Sequence, residues 1–256
     1  MTETPTACKN CGSTLSGKFC NACGQQADIH RITFKHLIHD FFHALTHTDK
    51  GFFFLIKELV YRPGFLAKEY LEGRRKKYFN PFTFYVIVSA LWALVVSKSH
   101  YFESMSSGRP RMSGEAPEWA RLLGYYFSQS MPFVIAHGKI ISLVITAPLL
   151  ALLTWLFFRK QKNNYAENLV LHTFLAGQAL LMFVLIFIPA FFIFGHAKLN
   201  NDIYQWLFAA YLALAYWQFF KNHWLVSIIK AVVIHFLFKI LFWVPIFAVI
   251  FIRDHL

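Results

Sequence analysis

From Pro81 onward the chain is almost continuously apolar, interrupted only by short polar connections. Few folds accept such a sequence. In hydrocarbon every backbone N–H and C=O must be satisfied within the protein, so a long apolar run becomes a spanning helix. The candidate spans are residues 82–97, 139–158, 168–195, 203–220 and 228–252. A bilayer core takes about 20 apolar residues per helix. By that measure the first and fourth spans are short and the third is long enough to tilt. Lys239, near the middle of the fifth, leaves open a break into two pieces. The stretch 98–138 reads as a mixed loop containing Gly108, Pro110, Gly114 and Pro117, with a surface helix around Trp119 to Phe127. The expected fold class is an all-α integral membrane protein of about five transmembrane helices. Composition agrees: 15% of residues are charged and 57% hydrophobic, whereas soluble proteins carry about a quarter charged residues.

The formal net charge is +12. The basic residues cluster beside apolar segments, so the expected partners are membrane lipids with anionic headgroups rather than nucleic acid. Arg74, Arg75, Lys76, Lys77, Arg159, Lys160, Lys162 and Lys221 fall on one side of a five-span chain. The short opposite loop near 196–202 carries Lys198 alone. Positive residues favour the cytoplasmic side, and Met1 to Thr6 lacks the pattern of a cleavable signal peptide. The expected placement is the inner (cytoplasmic) membrane, with the N-terminus in the cytoplasm and the C-terminus outside.

Residues 1–27 carry all four cysteines, spaced C-x2-C-x8-C-x2-C at Cys8, Cys11, Cys20 and Cys23. Two such knuckles suit tetrahedral Zn²⁺. Gly12 and Gly24 follow the second cysteine of each, where a residue without Cβ lets backbone N–H groups turn toward sulfur. Four protein ligands leave no open coordination position, so the expected cofactor is structural zinc. A segment this small draws most of its folding energy from the metal.

Residues 28–80 read as a juxtamembrane region on the cytoplasmic side. Phe34, Leu37, Ile38, Phe41, Phe42 and Leu45 draw one apolar stripe along a helix at 33–47. Its polar face holds His36, His39, Asp40, His43 and His47. One reading is a second metal site; the plainer one is a solvated face on a helix lying in the membrane plane. A second short helix runs from Phe52 to about Tyr61, Arg62-Pro63-Gly64 stops it, and a third covers Phe65 to Glu72. The string Arg74-Arg75-Lys76-Lys77 then anchors topology or forms a lipid-headgroup site, at about 1 kcal/mol per cation near an anionic surface.

The strings Asp49-Lys50-Gly51, Tyr61-Arg62-Pro63-Gly64 and Glu69-Tyr70-Leu71-Glu72-Gly73-Arg74-Arg75-Lys76-Lys77-Tyr78-Phe79-Asn80-Pro81-Phe82 resemble a family of functionally uncharacterised bacterial inner-membrane proteins. The segment Phe19-Cys20-Asn21-Ala22-Cys23-Gly24-Gln25 is similar to the head of that family. The resemblance implies a zinc-ribbon head, a juxtamembrane helical segment and a multi-spanning body, residues 81–256 here. It implies no reaction.

Within the body, His172 and Gln178 fall in the third span, and His235 and Lys239 share a face of the fifth. Ionisable groups at membrane depth face a bundle interior or a cavity, or, for lysine, reach back to the interface. No carboxylate lies inside a proposed span; Glu167, at the start of the third, is the nearest acid to His172. Lys239 thus becomes the candidate charge of an anion or lipid-phosphate site. No serine-nucleophile, P-loop or zinc-protease motif is present. The leading expectation is a non-enzymatic membrane protein that binds or moves a lipid-like or small anionic molecule. The alternatives are a membrane-bound metal-dependent enzyme using the histidine-rich helix, and a scaffold or sensor whose ribbon recruits a cytoplasmic protein.

Overall fold

Proline and asparagine set where the helices start. The computed structural model describes residues 7–29, 31–32, 51–102, 104 and 117–255. The histidine-bearing segment 33–47, with His36, His39, Asp40, His43 and His47, lies outside the described residues. Two short helices come first, α1 (Phe52–Tyr61) and α2 (Pro63–Leu71). Pro63 occupies the first position of α2, where its missing N–H costs nothing and its fixed φ suits a helix. The Arg62-Pro63-Gly64 stop is therefore equally a start. Helix α3 (Pro81–Ser99) repeats the device, with Asn80 as N-cap accepting from the Phe82 and Thr83 amides at 2.9 and 3.3 Å.

Helix α4 (Glu118–Ile140) continues through a π-helical turn (Ile141–Thr146) into α5 (Ala147–Phe157). The expected surface helix at Trp119–Phe127 and the second span are thus parts of one helical run. Helix α6 (Tyr165–Met182) likewise passes through a π turn (Phe183–Phe187) into α7 (Ile188–Phe194). Each π turn directly precedes a proline-bearing helix start, at Pro148 and Pro189. Proline cannot donate to the carbonyl four residues back and its ring collides with that carbonyl, so the helix widens by one residue. Helix α8 (Ala197–Phe220) begins six residues before the expected span, and α9 (Trp224–His255) runs unbroken through Lys239 and Pro245.

Pro81–Ser99, Tyr165–Phe194 and Trp224–His255 are long and apolar enough to cross a membrane, and Val144–Phe157 is a shorter apolar stretch. The chain is thus an all-α protein of integral-membrane character. Helix α6 is the hub. Helices α3, α5 and α2 all pack on it, while α8 packs on α2 and α9. Gly177 lets α3 close on α6, for a Cβ there would lie 2.6 Å from the Phe84 ring; small residues at such crossings allow tight approach. Of the three long apolar stretches α9 is the least covered, with Ile229, Ile240 and Val249 exposed along it.

The two short helices are built into this bundle. Leu55, Leu59, Leu66 and Ala67 are fully buried in the same core as Leu171, Phe174 and Tyr216. Their junction rests on α8. A Cβ on Gly64 would lie 2.6 Å from both the Phe219 amide nitrogen and the Gln218 Cβ. Gly64 N–H donates to Gln218 Oε1 (3.0 Å), and Gln218 Nε2 donates to the Tyr61 carbonyl (3.1 Å). One amide side chain thereby satisfies an orphan carbonyl at the end of α1 and an orphan N–H at the start of α2. Tyr211, two turns earlier on α8, donates its hydroxyl to the Leu59 carbonyl at 2.9 Å.

Gly64→Ala should therefore lower stability by about 1–3 kcal/mol, as overpacking against backbone does. Gly17→Ala, where nothing lies within 4 Å, should change it by no more than about 0.5 kcal/mol. The unfolding midpoint of the detergent-purified protein, measured for both, checks the contrast.

Candidate functional site

The four cysteines converge from two copies of one backbone path. In the first, Cys8 N–H donates to the Ser13 carbonyl and Gly12 N–H to the Cys8 carbonyl, each at 2.8 Å. In the second, Cys20 N–H donates to Gln25 and Gly24 N–H to Cys20, again at 2.8 Å. Gly12 and Gly24 take φ of +78° and +70°, the left-handed region that glycine enters without strain. Antiparallel bridges Ala7–Thr14 and Phe19–Gln26 close the two loops.

All four Sγ atoms lie within 4.8 Å of one another, with Cys8–Cys23 at 3.7 Å and Cys11–Cys20 at 3.5 Å. Thiolates around a tetrahedral ion with bonds of about 2.3 Å sit about 3.8 Å apart, so the donor set fits one metal ion. None of the four is in a disulfide. The Ser13 hydroxyl and backbone N–H stabilise the Cys11 thiolate and bring that thiol down to about 6, which favours metal over proton.

This cysteine head is fastened to the body at two places. Gln25, almost fully buried, accepts from the Arg75 and Lys76 amides at 3.1 and 3.2 Å. Asn10, inside the first knuckle, accepts from the Lys77 amide at 3.2 Å. Gly73 turns beneath the head at φ +114°, with Lys9 and Ile29 close over it. Farther on, Arg31 makes a two-pronged contact with Glu167, the Nη2–Oε2 arm being 2.9 Å. Asn164 Nδ2 donates to the Ile32 carbonyl at 3.0 Å. Asn164 and Glu167 also form the capping box of α6, so one helix start serves both purposes.

Glu69 gathers the basic string. Its carboxylate receives Arg62 (2.7 Å), Arg74 (3.3 Å), Lys77 (3.2 Å) and the Tyr78 hydroxyl (2.8 Å). Arg62 also pairs with Glu58 at 3.0 Å. Lys77 lies over the Tyr78 ring at 4.9 Å and Arg75 over the Tyr70 ring at 6.0 Å. Arg74 and Lys77 are thus held by a carboxylate of α2, while Lys76 is exposed. Partial burial pushes the Glu69 carboxyl up, but Tyr78, Lys77 and Arg62 together hold it below the usual carboxylate range.

Glu167 is occupied by Arg31 and the helix cap, and is not the partner of His172. His172 is fully buried between α5 and α8. Its Nε2 lies 2.7 Å from Thr154 Oγ1 and 3.3 Å from the Tyr216 hydroxyl, and those two oxygens are 2.8 Å apart. This set welds three helices through Nε2, while His172 Nδ1 is buried without a partner among the described residues. Gln178 is also buried, with Oε1 unpartnered among the described residues.

His235 and Lys239 face a cavity of about 490 Å³ at the end of the bundle remote from the head. Asp202 and Gln205 of α8 line it with them, inside an aromatic wall that includes Trp92, Trp206 and Trp243. Phe183, the first residue of the second π turn, closes one side. Sequence reasoning missed Asp202 because Asn200-Asn201-Asp202 reads as a loop, whereas α8 already includes it. Its position directly before the apolar run at 203–220 was the available signal. An apolar groove of about 390 Å³ between α8 and α9, lined by Ala209, Ala213, Trp217 and Ile228, shares Trp206 with this cavity.

Residues 49–92 match a family model described as "Protein of unknown function (DUF3667)". The match takes in α1, α2, the basic string and the first part of α3. No curated protein and no solved structure matches the chain.

The Glu69 cluster has a defined pH signature. Because the folded carboxyl titrates below its unfolded value, its stabilisation is present at neutral pH and is lost as pH falls through that lowered value. Glu69→Gln should cost about 1.5–3 kcal/mol at neutral pH, the range for hydrogen bonds to a charged group, and should flatten the acid limb of stability. Unfolding midpoints of both proteins between neutral and acid pH read this out.

Proposed function

We propose that this chain is a multi-pass membrane protein that binds or moves an amphipathic molecule with a small anionic head, braced at its cytoplasmic side by a structural zinc ribbon. The cavity around Lys239 carries the reading: a lysine at membrane depth beside Asp202, His235 and Gln205, with Trp206 in its wall also lining a mainly apolar groove. Charge at that depth is costly and marks a ligand or ion path. An anionic head would pair with Lys239, a hydroxyl or amine on the same head would suit Asp202, and an apolar tail would lie along Ala209 and Ala213.

In this proposal residues 1–27 form the ribbon, 28–80 the cytoplasmic docking region and 81–256 a body of five spans. The placement is the bacterial inner membrane, with the N-terminus inside and the C-terminus outside. The concentration of cations at the head end supports that orientation. Zinc suits four converging thiolates and no open position. The contacts of Asn10 and Gln25 with the basic string favour bracing as the ribbon's role over recruitment of a cytoplasmic partner. Arg74, Arg75, Lys76 and Lys77 sit where they would meet anionic headgroups, Lys76 most directly.

Elemental analysis of detergent-purified protein should give one zinc per chain, lost in Cys8→Ser/Cys11→Ser. In the same variant the Arg75, Lys76 and Lys77 amides should exchange with deuterium about 5- to 10-fold faster, the equivalent of one hydrogen bond. A second metal surviving the substitution would move the histidine-rich segment, and an enzyme, to the front.

The cavity is tested with dibrominated stearate, whose bromines quench nearby tryptophan. Wild type should show saturable quenching, and Lys239→Met should weaken it about 10-fold, near 1.4 kcal/mol. Equal saturation in both proteins would remove Lys239 from any headgroup site.

A further inference from the structure

The loop joining α5 to α6 and the loop joining α8 to α9 meet at the head end of the bundle. Gln161 Nε2 donates to Asn222 Oδ1 at 2.7 Å, tying the two together. Between them lies a cavity of about 420 Å³. Arg159 and Lys160 line it from one loop and Lys230 from the second turn of α9. No carboxylate lines it, and among the described residues none of the three cations has an ion-pair partner. The contrast with the basic string is direct, since there Glu69 neutralises Arg74 and Lys77.

Two of the cations, Lys230 and Arg159, are also held in place. Lys230 donates to the Phe157 carbonyl at 2.8 Å and lies over the Phe158 ring at 4.2 Å. Arg159 sits 5.7 Å from the Trp155 ring centre. A topology signal needs only charge somewhere in a loop. Here three like charges, two from one connection and one from a helix about 70 residues later in sequence, line one concavity, at mutual electrostatic cost. Below them the wall becomes apolar and exposed, through Leu156, Phe157 and Val226. A cationic rim over an exposed hydrocarbon wall matches one kind of molecule, with a phosphodiester above and acyl chains below.

We propose that Arg159, Lys160 and Lys230 form a headgroup site for an anionic phospholipid at the head end of the bundle, separate from the cavity around Lys239. The phosphodiester sits among the three cations and the acyl chains run down past Phe157 and Val226. Basic pockets between spans on the cytoplasmic face bind anionic headgroups by this chemistry.

The test counts lipid adducts on the detergent-purified full chain by native mass spectrometry, with dihexanoyl phosphatidylglycerol and dihexanoyl phosphatidylcholine as probes. Wild type should take up phosphatidylglycerol first. Arg159→Gln/Lys160→Gln, at two exposed positions, should weaken that first binding about 10-fold or more and leave phosphatidylcholine unchanged. Lys198→Gln, an exposed cation at the other end of the bundle, should change neither. Lys230→Gln, which also loses the Phe157 contact, should repeat the loss while the protein still elutes as a folded species. Unaltered phosphatidylglycerol binding in the double variant would overturn the site. Equal loss of both lipids would overturn its charge-based recognition. Displacement of the lipid by millimolar inorganic phosphate would reassign the pocket to free phosphate.

Discussion

A helix broken against an apolar bundle leaves buried backbone groups in need of partners, and Gln218 supplies them here. Its amide takes the Gly64 N–H and gives to the Tyr61 carbonyl, so the sharp turn between α1 and α2 can lie against α8 without an unpaired polar group. The absence of a side chain at Gly64 permits the approach. Everything on the head side follows from that contact. It sets the direction of α2, which sets where Glu69 projects. Glu69 then collects Arg62, Arg74, Lys77 and Tyr78, folding the basic string back on α2. The string so placed offers three backbone amides in a row to Asn10 and Gln25. The cysteine head is therefore the last member of a chain of polar contacts that starts in the membrane body.

Polarity is divided between two poles. The head pole carries the cysteine cluster, the basic string and the cations of the two loops. The opposite pole carries a partly open cavity lined by Asp202, His235 and Lys239 within aromatic walls. Between them Thr154, His172 and Tyr216 are bound to one another, while Gln178 Oε1 and Ser227 Oγ are buried without a partner among the described residues. Hydrogen bonds that join three helices in a low-dielectric interior fix helix positions, so Thr154, His172 and Tyr216 are best understood as the weld between α5, α6 and α8.

Features encoded by local chemistry were legible in the sequence. The spacing of Cys8, Cys11, Cys20 and Cys23 announces convergence because each knuckle is a short loop whose glycine sets its turn. Asn80-Pro81 announces a helix start for the same kind of reason. The apolar runs announced spanning helices, though boundaries slipped wherever a helix begins in polar residues, as α8 does from Ala197 to Asp202. That slip hid the carboxylate facing the Lys239 cavity. The partners of Gln218, Glu69 and Gln25 were not legible, since each bond joins segments whose proximity is a product of packing. Pro63-Gly64 shows the limit most plainly. Local rules read it as a stop, while its role in the fold is to let α8 come close.

Helix α8 joins the two poles mechanically. Asp202 and Gln218 are 16 residues apart on it, about 24 Å at the helical rise. No proline or glycine lies between them. The neighbouring apolar helices are interrupted, by π turns before Pro148 and Pro189 and by Pro245 within α9. Kinks in this bundle thus have identifiable causes in α4–α5, α6–α7 and α9, and α8 carries none of them between Asp202 and Gln218. A displacement of α8 at Asp202 is carried to Gln218, where it must stretch or preserve the two hydrogen bonds that hold the α1–α2 turn. An uninterrupted helix thus spans the distance between the charged cavity and the contact that seats the α1–α2 turn, with interrupted helices packed beside it.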